Sequence, residues 1–235
     1  MKQNYNDRLF SGHGFRSWLH SSRYLWLSNK LKQHSIKYST VIELGCYDGK
    51  SINYLPYPPE KYEGYDANWE DGLEIFKTQW ANKQNYQAHL SNSVDDFNSE
   101  NQKFDLVICM ETLEHLPRKD ILFYLEKLSD SCDGYVIITV PNEIGLLFFV
   151  KYVSKLILGI YNKEKNQKHT LLEFIYQTLG MSQKVEQNDH KGFNYKNLTV
   201  NIADYFEILV IEGTQFPLLP LFASANIGIV CKKSK

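Results

Sequence analysis

Three side chains that can hold a metal ion or move a proton lie close together in the sequence: Glu111, Glu114 and His115. If the chain is helical here, the i,i+3 and i,i+4 spacings place all three on one face. Two carboxylates and an imidazole in a cleft can bind a divalent cation through oxygen and nitrogen ligands. Alternatively, His115 can act as a general base toward a substrate hydroxyl, because an imidazole ordinarily titrates near neutrality. The segment therefore indicates a metal site or a proton-transfer site.

A glycine-containing turn follows an apolar run in the sequence Thr40-Val-Ile-Glu-Leu-Gly-Cys-Tyr-Asp-Gly49. We interpret the apolar half as a buried strand and the glycine half as a tight turn whose backbone can approach a ligand closely. Glu43 places a carboxylate where an ammonium or a hydroxyl of a ligand could sit. Asp66 ends a second strand-like segment about 20 residues after the turn, where nucleotide-binding folds carry their ribose-binding carboxylate.

The elements that must position these side chains alternate between strand and helix from residue 40 to 141, as a parallel sheet with right-handed crossovers requires. The predicted strands cover residues 41–44, 61–66, 86–90, 104–110, 134–142, 205–212 and 225–232. The predicted helices cover residues 15–36, 49–55, 70–82 and 118–130. The pattern predicts an α/β fold with its candidate chemistry at the ends of the strands.

The composition limits the classes of function. A length of 235 residues fits one α/β domain with room for a lid, and a hydrophobic content of 43% can build its core. The net charge of −1 argues against a nucleic-acid substrate, since phosphate binding usually needs a basic surface. The four cysteines include no C-x-x-C pair, and the polar N-terminus shows no signal peptide, so we expect a reducing, cytoplasmic location.

Taken in order, the segments around the first turn, Asp66, Met110 and Asn142 resemble the class I S-adenosylmethionine (SAM) dependent methyltransferases. The resemblance runs from about residue 40 to the C-terminus. It implies a Rossmann-like, seven-stranded mixed sheet with helices on both faces, a terminal antiparallel strand pair and a helical insertion after the fifth strand. It also implies one domain over residues 1–235, with an N-terminal helical cover at 1–38 and an insertion or lid at 143–200.

The same resemblance implies a set of SAM-binding residues. The methionine end and the first turn of the site would be formed by Glu43, Gly45, Cys46, Tyr47 and Gly49. Tyr47 departs from the family, which commonly has a glycine there, so its side chain either points outward or reshapes the loop. Asp66 would bind the ribose hydroxyls, Ser93 and Val94 the adenine edge, and Met110 would lie against the amino-acid portion of the cofactor.

Two narrower resemblances concern the acceptor. The run from Phe104 to Pro117 resembles the polyprenyl-dihydroxybenzoate O-methyltransferases of the methyltransferase type 11-12 group, which implies O-methylation of a small or lipid- or glycan-linked acceptor with His115 and Glu114 as catalytic groups. The run Asp189–Phe193 resembles the small-RNA 2′-O-methyltransferases, which implies Mg²⁺ or Mn²⁺ on Glu111, Glu114, His115 and His190. In methyltransferases for sugars and small molecules, a similar His-x-x-Phe lines the acceptor pocket.

Three functions therefore stay open at this point. The first is O-methylation of a small or lipid- or glycan-linked acceptor, and the second is metal-dependent 2′-O-methylation of RNA. The third is a SAM-binding partner subunit without catalysis, which would bind cofactor and transfer nothing. A nucleic acid is the less expected partner because of the net charge.

The region from 143 to 190 is the outlier of the sequence. Ile144 to Val150 is strongly apolar, and Lys151 and Lys155 then interrupt it. A membrane-spanning helix needs roughly 20 mostly apolar residues, so this segment is too short and too charged to span. It could be a helix packed on the sheet or against a second copy in a homodimer, or it could be a substrate lid. The third alternative is a peripheral membrane helix over 144–160, with its lysines reaching the interface.

Overall fold

A seven-stranded mixed sheet forms the centre of the protein in the computed structural model, which describes residues 10, 14–97, 102–157 and 168–234. The strands are β1 Thr40–Leu44, β2 Lys61–Asp66, β3 Tyr86–Leu90, β4 Phe104–Met110, β5 Cys132–Pro141, β6 Phe206–Gly213 and β7 Asn226–Lys233. Parts of the expected N-terminal cover (1–9 and 11–13) and of the expected insertion (158–167) lie outside the described residues. The sheet confirms the predicted Rossmann-like fold.

The strand order is β3-β2-β1-β4-β5-β7-β6, with β1 to β5 parallel and β7 antiparallel to both of its neighbours. The predicted terminal antiparallel pair is therefore confirmed. In register, Leu44 lies beside Tyr65 on one side and Cys109 on the other. The carboxyl ends of β1, β2 and β4 thus meet at one edge, which is where ligands bind in open α/β sheets.

Six α-helices flank the sheet within the described residues: α1 Phe15–Gln33, α2 Gly72–Gln79, α3 Arg118–Asp130, α4 Gly145–Ile157, α5 Leu171–Thr178 and α6 Tyr195–Ala203. The helix expected over 49–55 is instead a short 3₁₀ helix, Lys50–Tyr54, entered through Gly49 in a left-handed conformation. The helix expected over 70–82 begins only at Gly72, because Asn68, Glu70 and Asp71 all have positive φ. These shorter elements keep the turns after β1 and β2 close to the carboxyl edge.

Each face of the sheet has its own apolar core. On one face α3 buries Ile121, Leu125 and Leu128 against β4 and β5. On the other face α1 buries residues such as Trp26 and Leu31. The indole nitrogen of Trp26 also donates to Glu212 Oε1 at 2.7 Å, which ties α1 to β6. The N-terminal helix is therefore a fixed part of the fold.

The segment after β5 folds into helices, as predicted. Phe148 and Tyr152 of α4 pack on Phe174 of α5, with ring centroids 6.0 and 4.6 Å apart. Thr170 caps α5 through a reciprocal pair of hydrogen bonds with Glu173. No helix among the described residues is both long and apolar enough to cross a membrane.

Candidate functional site

The turn after β1 lies directly against the segment that follows β4. Gly45 has a φ of 77°, and its N–H donates to the carbonyl of Tyr65 at 2.7 Å. A Cβ at this position would lie 2.0 Å from Thr112 Oγ1, so only glycine fits. The ends of β1, β2 and β4 therefore converge around this turn, as the sequence predicted for a ligand-binding loop.

Tyr47 has a left-handed backbone conformation, which glycine adopts most easily. Its φ is 49°, and its N–H donates to Asp66 Oδ2 at 3.0 Å. Its ring packs onto Gly72 at the start of α2, where a Cβ would lie 2.4 Å from the ring. The turn therefore holds a left-handed tyrosine in place through packing, and the contact with Asp66 links it to the end of β2.

Glu43 acts inside the fold in this structure. Its buried carboxylate accepts hydrogen bonds through Oε2 from the Ser51 hydroxyl and, at 2.5 Å, from the Tyr62 hydroxyl. Burial raises the pKa of the Glu43 carboxyl to about 8 in spite of both hydrogen bonds. The residue thereby fastens the 3₁₀ helix after the turn to β1 and β2.

Asp66 stands at the carboxyl end of β2, as the sequence predicted. Oδ1 accepts from the backbone N–H groups of Asn68 at 2.8 Å and Trp69 at 3.3 Å, while Oδ2 accepts from Tyr47. Burial raises the pKa of this carboxyl, and the backbone hydrogen bonds oppose that effect. Three backbone donors from two loops thus fix the direction of the carboxylate at the edge of the sheet.

The other predicted cofactor residues surround the same edge. Cys46 and Met110 are buried, and burial raises the pKa of the Cys46 thiol well above its usual value. Ser93 is exposed and Val94 half-buried in the loop after β3. Both line an open cleft of about 670 Å³ between that loop and α3. The structure thus brings the predicted methionine-end residues and Asp66 to adjoining turns, with the predicted adenine residues on the loop beyond.

Arg23 is a residue of the site that the sequence analysis missed. It is buried on α1, and its Nη1 lies 3.8 Å from Glu111 Oε2. The guanidinium also stacks over the ring of Tyr24 at 5.1 Å. The sequence does contain one sign of this role: Arg23 stands among the apolar positions of an otherwise ordinary amphipathic helix. It brings a buried positive charge to the carboxyl edge of the sheet.

Glu111 does not share a helical face with the other two titratable residues, contrary to the expectation. Its N–H donates to Thr139 O at 2.8 Å, which continues the pairing of β4 with β5, and its φ is 53°. Only Leu113–His115 then forms a 3₁₀ turn. Glu111 Oε2 accepts from Asn226 Nδ2 at 2.5 Å and pairs with Arg23. Glu111 therefore lies outside the 3₁₀ turn that contains Glu114 and His115, although it still acts on Glu114, because burial and the negative charge of Glu111 both raise the pKa of that carboxyl.

Glu114, His115 and His190 form a cluster, with one potential ligand atom from each lying within 4.8 Å of the others. Glu114 is fully buried, and neither of its carboxylate oxygens has a hydrogen-bond partner among the described residues. Burial raises the pKa of Glu114 well above its usual value and lowers that of His190. Burying a carboxylate without a hydrogen-bond donor lowers the stability of the folded protein. Glu114 is therefore suited to a ligand that supplies positive charge or a proton.

Two acids to which the sequence analysis gave no role contact this cluster. His115 Nδ1 is in hydrogen-bond contact with Asp189 Oδ1, and the rings of His115 and His190 meet edge to face at 4.8 Å. Glu143 Oε1 lies 3.7 Å from His190 Nδ1 and 2.9 Å from Lys151 Nζ. Asp189 could have been predicted from the sequence, because it directly precedes His190 in the run Asp189–Phe193.

A fully buried glutamine fixes the loop that carries His190. Gln177 of α5 donates to the carbonyl of Glu143 at 2.6 Å and to that of Phe193 at 3.0 Å, and it accepts from Gly192 N at 3.2 Å. The end of β5, α5 and the loop 189–193 are therefore held together by one amide. The insertion supplies part of the candidate site and is attached to it.

Comparisons with known proteins identify the family and the fold of the chain. The family model described as a methyltransferase domain matches residues 12–178. A SAM-dependent methyltransferase from Clostridium acetobutylicum superposes with a TM-score of 0.64 at 12% identity, covering 98% of this chain and 96% of that one. The N-methyltransferase NodS from Bradyrhizobium japonicum, in complex with S-adenosylhomocysteine (SAH), superposes with a TM-score of 0.61 at 8% identity, covering 97% and 96%.

A third similar structure is magnesium protoporphyrin IX methyltransferase from Synechocystis with bound SAH. Its TM-score is 0.59 at 16% identity, and the match covers 100% of this chain and 90% of that one. No curated protein sequence matches the chain. The structural likeness extends over nearly the whole chain, whereas the sequence identity is low.

Proposed function

Because the chain belongs to the class I SAM-dependent methyltransferases, we propose that it transfers the SAM methyl group to an oxygen atom of a small or lipid- or glycan-linked acceptor. The observation that carries this proposal is the contact of His115 with Asp189, beside the buried carboxylate of Glu114. A hydroxyl becomes a better nucleophile when a base removes its proton as it attacks the methyl group. The histidine cluster supplies such a base and therefore supports a hydroxyl acceptor.

The cofactor half of the site provides the groups that SAM requires. The donors that hold Asp66 point its carboxylate to the edge of the sheet, where it would accept from both ribose hydroxyls. Arg23 would bind the carboxylate of the methionine portion, because a buried guanidinium matches a carboxylate in charge and shape. When bound, SAM supplies a methyl group on a positively charged sulfur, and the sulfur leaves as a neutral thioether.

His115 would accept the proton of the acceptor hydroxyl. Asp189 occupies Nδ1, so the imidazole is held in the tautomer that leaves Nε2 to receive the proton. Asp189 also stabilises the imidazolium that forms. Glu114 Oε1 lies 3.8 Å from Nε2 of His115, where it could help to stabilise the positive charge of the protonated ring. These residues orient the acceptor and move one proton, and the methyl group moves directly to oxygen.

A transfer assay with isotopically labelled SAM tests this proposal. The acceptors would be a matched panel of phenols, sugars, amines and carboxylates, and the products would be treated with mild alkali. A methyl ether on a phenol or sugar survives that treatment and identifies O-methylation of a hydroxyl. Label that appears only in methylamines, or that is released as methanol from esters, would contradict the proposed acceptor class.

A second candidate, metal-assisted methylation, is favoured by one specific observation: neither buried oxygen of Glu114 has a hydrogen-bond donor in the part of the chain that the structure describes. Glu114, His115 and His190 together offer one carboxylate and two imidazoles, a donor set that suits Mn²⁺ better than Mg²⁺. The metal would lower the pKa of an acceptor hydroxyl. Glu111, the fourth ligand expected from the sequence, pairs through Oε2 with Arg23 and Asn226, and its buried Oε1 has no hydrogen-bond partner among the described residues. A 2′-hydroxyl of RNA is one acceptor for such a site, although the net charge of −1 does not favour RNA.

Calorimetric titration of Mn²⁺ into the SAH-saturated protein tests the metal directly. The metal-assisted alternative predicts stoichiometric binding that is lost in Glu114→Gln and His190→Ala and kept in His34→Ala, a control on the loop after α1. Absence of binding to the wild type would leave His115 as a base without metal. If SAH binds and no acceptor of any class is methylated, the remaining alternative of a non-catalytic SAM-binding partner would be supported.

We also propose a reducing compartment, such as the cytoplasm, as the location of the protein. All four cysteines, Cys46, Cys109, Cys132 and Cys231, are buried free thiols. Buried thiols of this kind persist where disulfides are kept reduced.

A further inference from the structure

A tight turn presents Asp189 and His190 to the rest of the candidate site. Asn188 and Lys191 pair across this turn, and the N–H of each donates to the carbonyl of the other at 3.1 and 3.0 Å. Asp189 has a φ of 55°, a left-handed conformation that aspartate adopts more readily than most residues. The two side chains therefore stand at the tip of the turn, and their direction depends on the contacts that hold it.

The insertion holds this turn from one side. The side-chain oxygen of Gln177 accepts from the N–H of Gly192 at 3.2 Å, and the buried Lys191 pairs with Glu173 at 2.8 Å. Gln177 and Glu173 both belong to α5. These contacts fix the turn relative to α5, but they do not join it to the segment after β4 that carries His115.

Arg118 holds the turn from the other side. This residue begins α3, shortly after His115 in the chain. Its Nη2 donates to the carbonyls of Ser182 and Gly192 at 3.3 and 3.2 Å. Its Nε donates to Gln187 Oε1 at 3.1 Å. A single guanidinium therefore contacts the chain both before and after the turn.

Gln187 makes the connection reciprocal. Its oxygen accepts from Arg118, and its Nε2 donates to the carbonyl of Leu116 at 2.9 Å. Leu116 directly follows His115 in the chain. The hydrogen bonds thus run from the residue next to His115, through the amide of Gln187, to the guanidinium of Arg118. They join the segment that carries His115 to the turn that carries Asp189.

We propose that Arg118 is a positioning residue that keeps Asp189 against His115. The contact between His115 Nδ1 and Asp189 Oδ1 is the one that depends on the placement of the turn. A carboxylate at Nδ1 sets the tautomer of the imidazole and leaves Nε2 to receive a proton. This role rests on the proposed function, since it requires His115 to act as the base. Arg118 acts through the backbone of the turn, so its effect on catalysis depends on Asp189.

Steady-state kinetics with a hydroxyl acceptor provide the first test. Arg118→Ala should lower kcat by roughly 10- to 100-fold with KM and SAH affinity unchanged, because the base is misplaced while the binding groups stay. Arg118→Lys should recover part of the rate, since an ammonium can reach one carbonyl but lacks the planar fork of the guanidinium. The matched control is Lys119→Ala, the next exposed residue of α3, which should transfer like the wild type.

A double-mutant cycle separates positioning from a general loss of structure. In an Asp189→Ala background, Arg118→Ala should lower kcat much less than it does in the wild type, because the contact that it maintains is already absent. An equal loss of rate in both backgrounds would overturn the proposal and assign Arg118 a general structural role. A loss in Lys119→Ala as large as that in Arg118→Ala would also overturn it.

A spectroscopic measurement tests the proposal without any acceptor. The ¹⁵N chemical shifts of a neutral imidazole report which ring nitrogen carries the proton, and the His115 signals can be assigned by comparison with His115→Gln. The proton should reside on Nδ1 in the wild type and in Lys119→Ala, and the shifts should move toward a mixture of both tautomers in Arg118→Ala. Unchanged shifts in Arg118→Ala would overturn the proposal. If the shifts depend on Arg118 and no hydroxyl is methylated, the proposed transfer reaction alone is contradicted.

Discussion

The cofactor half of the site and the acceptor half are built in different ways. The cofactor half, at the ends of β1 and β2, consists of turns whose polar groups are bonded to one another, as Asp66 is to three backbone N–H groups. The acceptor half, around Glu114 and His190, contains a buried carboxylate with no hydrogen-bond donor among the described residues, and it borders exposed apolar side chains. The Asp66 carboxylate is thus fixed before a ligand binds, whereas the Glu114 carboxylate depends on a ligand for its partners.

Cofactor recognition and acceptor choice therefore reside in different parts of the enzyme. A site fixed by backbone hydrogen bonds recognises the same cofactor in any member of the fold. A site that is completed by side chains of an insertion, such as His190 and Asp189, can change its acceptor without altering the sheet. We therefore expect the two halves to be separable in experiment. Substitutions in the acceptor half should lower the rate of methyl transfer and leave SAH affinity unchanged, and substitutions in the cofactor half should lower SAH affinity.

The largest effect is expected in the acceptor half. His115→Ala should lower the rate of methyl transfer by roughly 10²–10⁴-fold, the usual contribution of a general base. SAH affinity, measured by calorimetry, should stay the same, because the described contacts of His115 are to Asp189, Glu114 and His190. The control is His34→Ala, which should change neither quantity. Loss of SAH binding in His115→Ala would show that the halves are not separate.

The next effect belongs to the cofactor half. Asp66→Ala should weaken SAH binding on the order of 100-fold, since two hydrogen bonds to a charged group contribute about 1.5 kcal/mol or more each. Asp71→Ala, an exposed acid of the same loop, is the matched control and should bind SAH like the wild type. Equal weakening in both variants would assign the effect to the loop as a whole and contradict a specific role for the Asp66 carboxylate.

Glu43 should produce a pH dependence of stability. The pKa of the Glu43 carboxyl is about 8 in the folded protein, compared with 4.5 for the same group in an unfolded chain. The folded protein therefore binds this proton more tightly than the unfolded chain does. The stabilisation is fully present below about pH 4.5 and is lost as the pH rises through 8. Glu43→Gln should remove this pH-dependent contribution, which is on the order of 5 kcal/mol over the full titration.

Urea unfolding at several pH values between these limits measures the Glu43 effect. The free energy of unfolding should fall more steeply with pH in the wild type than in Glu43→Gln. The exposed acid Glu60, replaced by Gln, serves as the control and should keep the wild-type slope. Parallel curves for wild type and Glu43→Gln would contradict the raised pKa.

The smallest effect concerns the left-handed residue of the first turn. Tyr47→Gly and Tyr47→Ala both remove the ring that packs on Gly72, but only glycine adopts a φ near 49° freely. Tyr47→Gly should therefore be more stable to unfolding than Tyr47→Ala by about 1 kcal/mol. Thermal unfolding of the two variants side by side measures this difference, and equal stabilities would show that the backbone is not strained there.

Much of the cofactor half could be predicted from the sequence because its signals are local. The bounds of β2, β3 and α3 agree with the prediction, and the turn and Asp66 stand where spacing placed them. Short-range patterns of apolar residues and glycines suffice for such elements.

The parts that were missed depend on contacts between distant segments. Glu111 leaves the predicted helical face because it pairs with Thr139, and no local pattern reveals where a strand pairing ends. Arg23 and Asp189 join the site through packing of the N-terminal helix and of the insertion loop.

A double-mutant cycle for SAH binding, measured by calorimetry on wild type, Asp66→Ala, His115→Ala and the double variant, tests whether the two halves of the site are independent. If they are, the double variant binds SAH as weakly as Asp66→Ala, with a coupling free energy within about 0.5 kcal/mol of zero. A coupling free energy well above that value would contradict their independence, because the two halves of the site would then act as one.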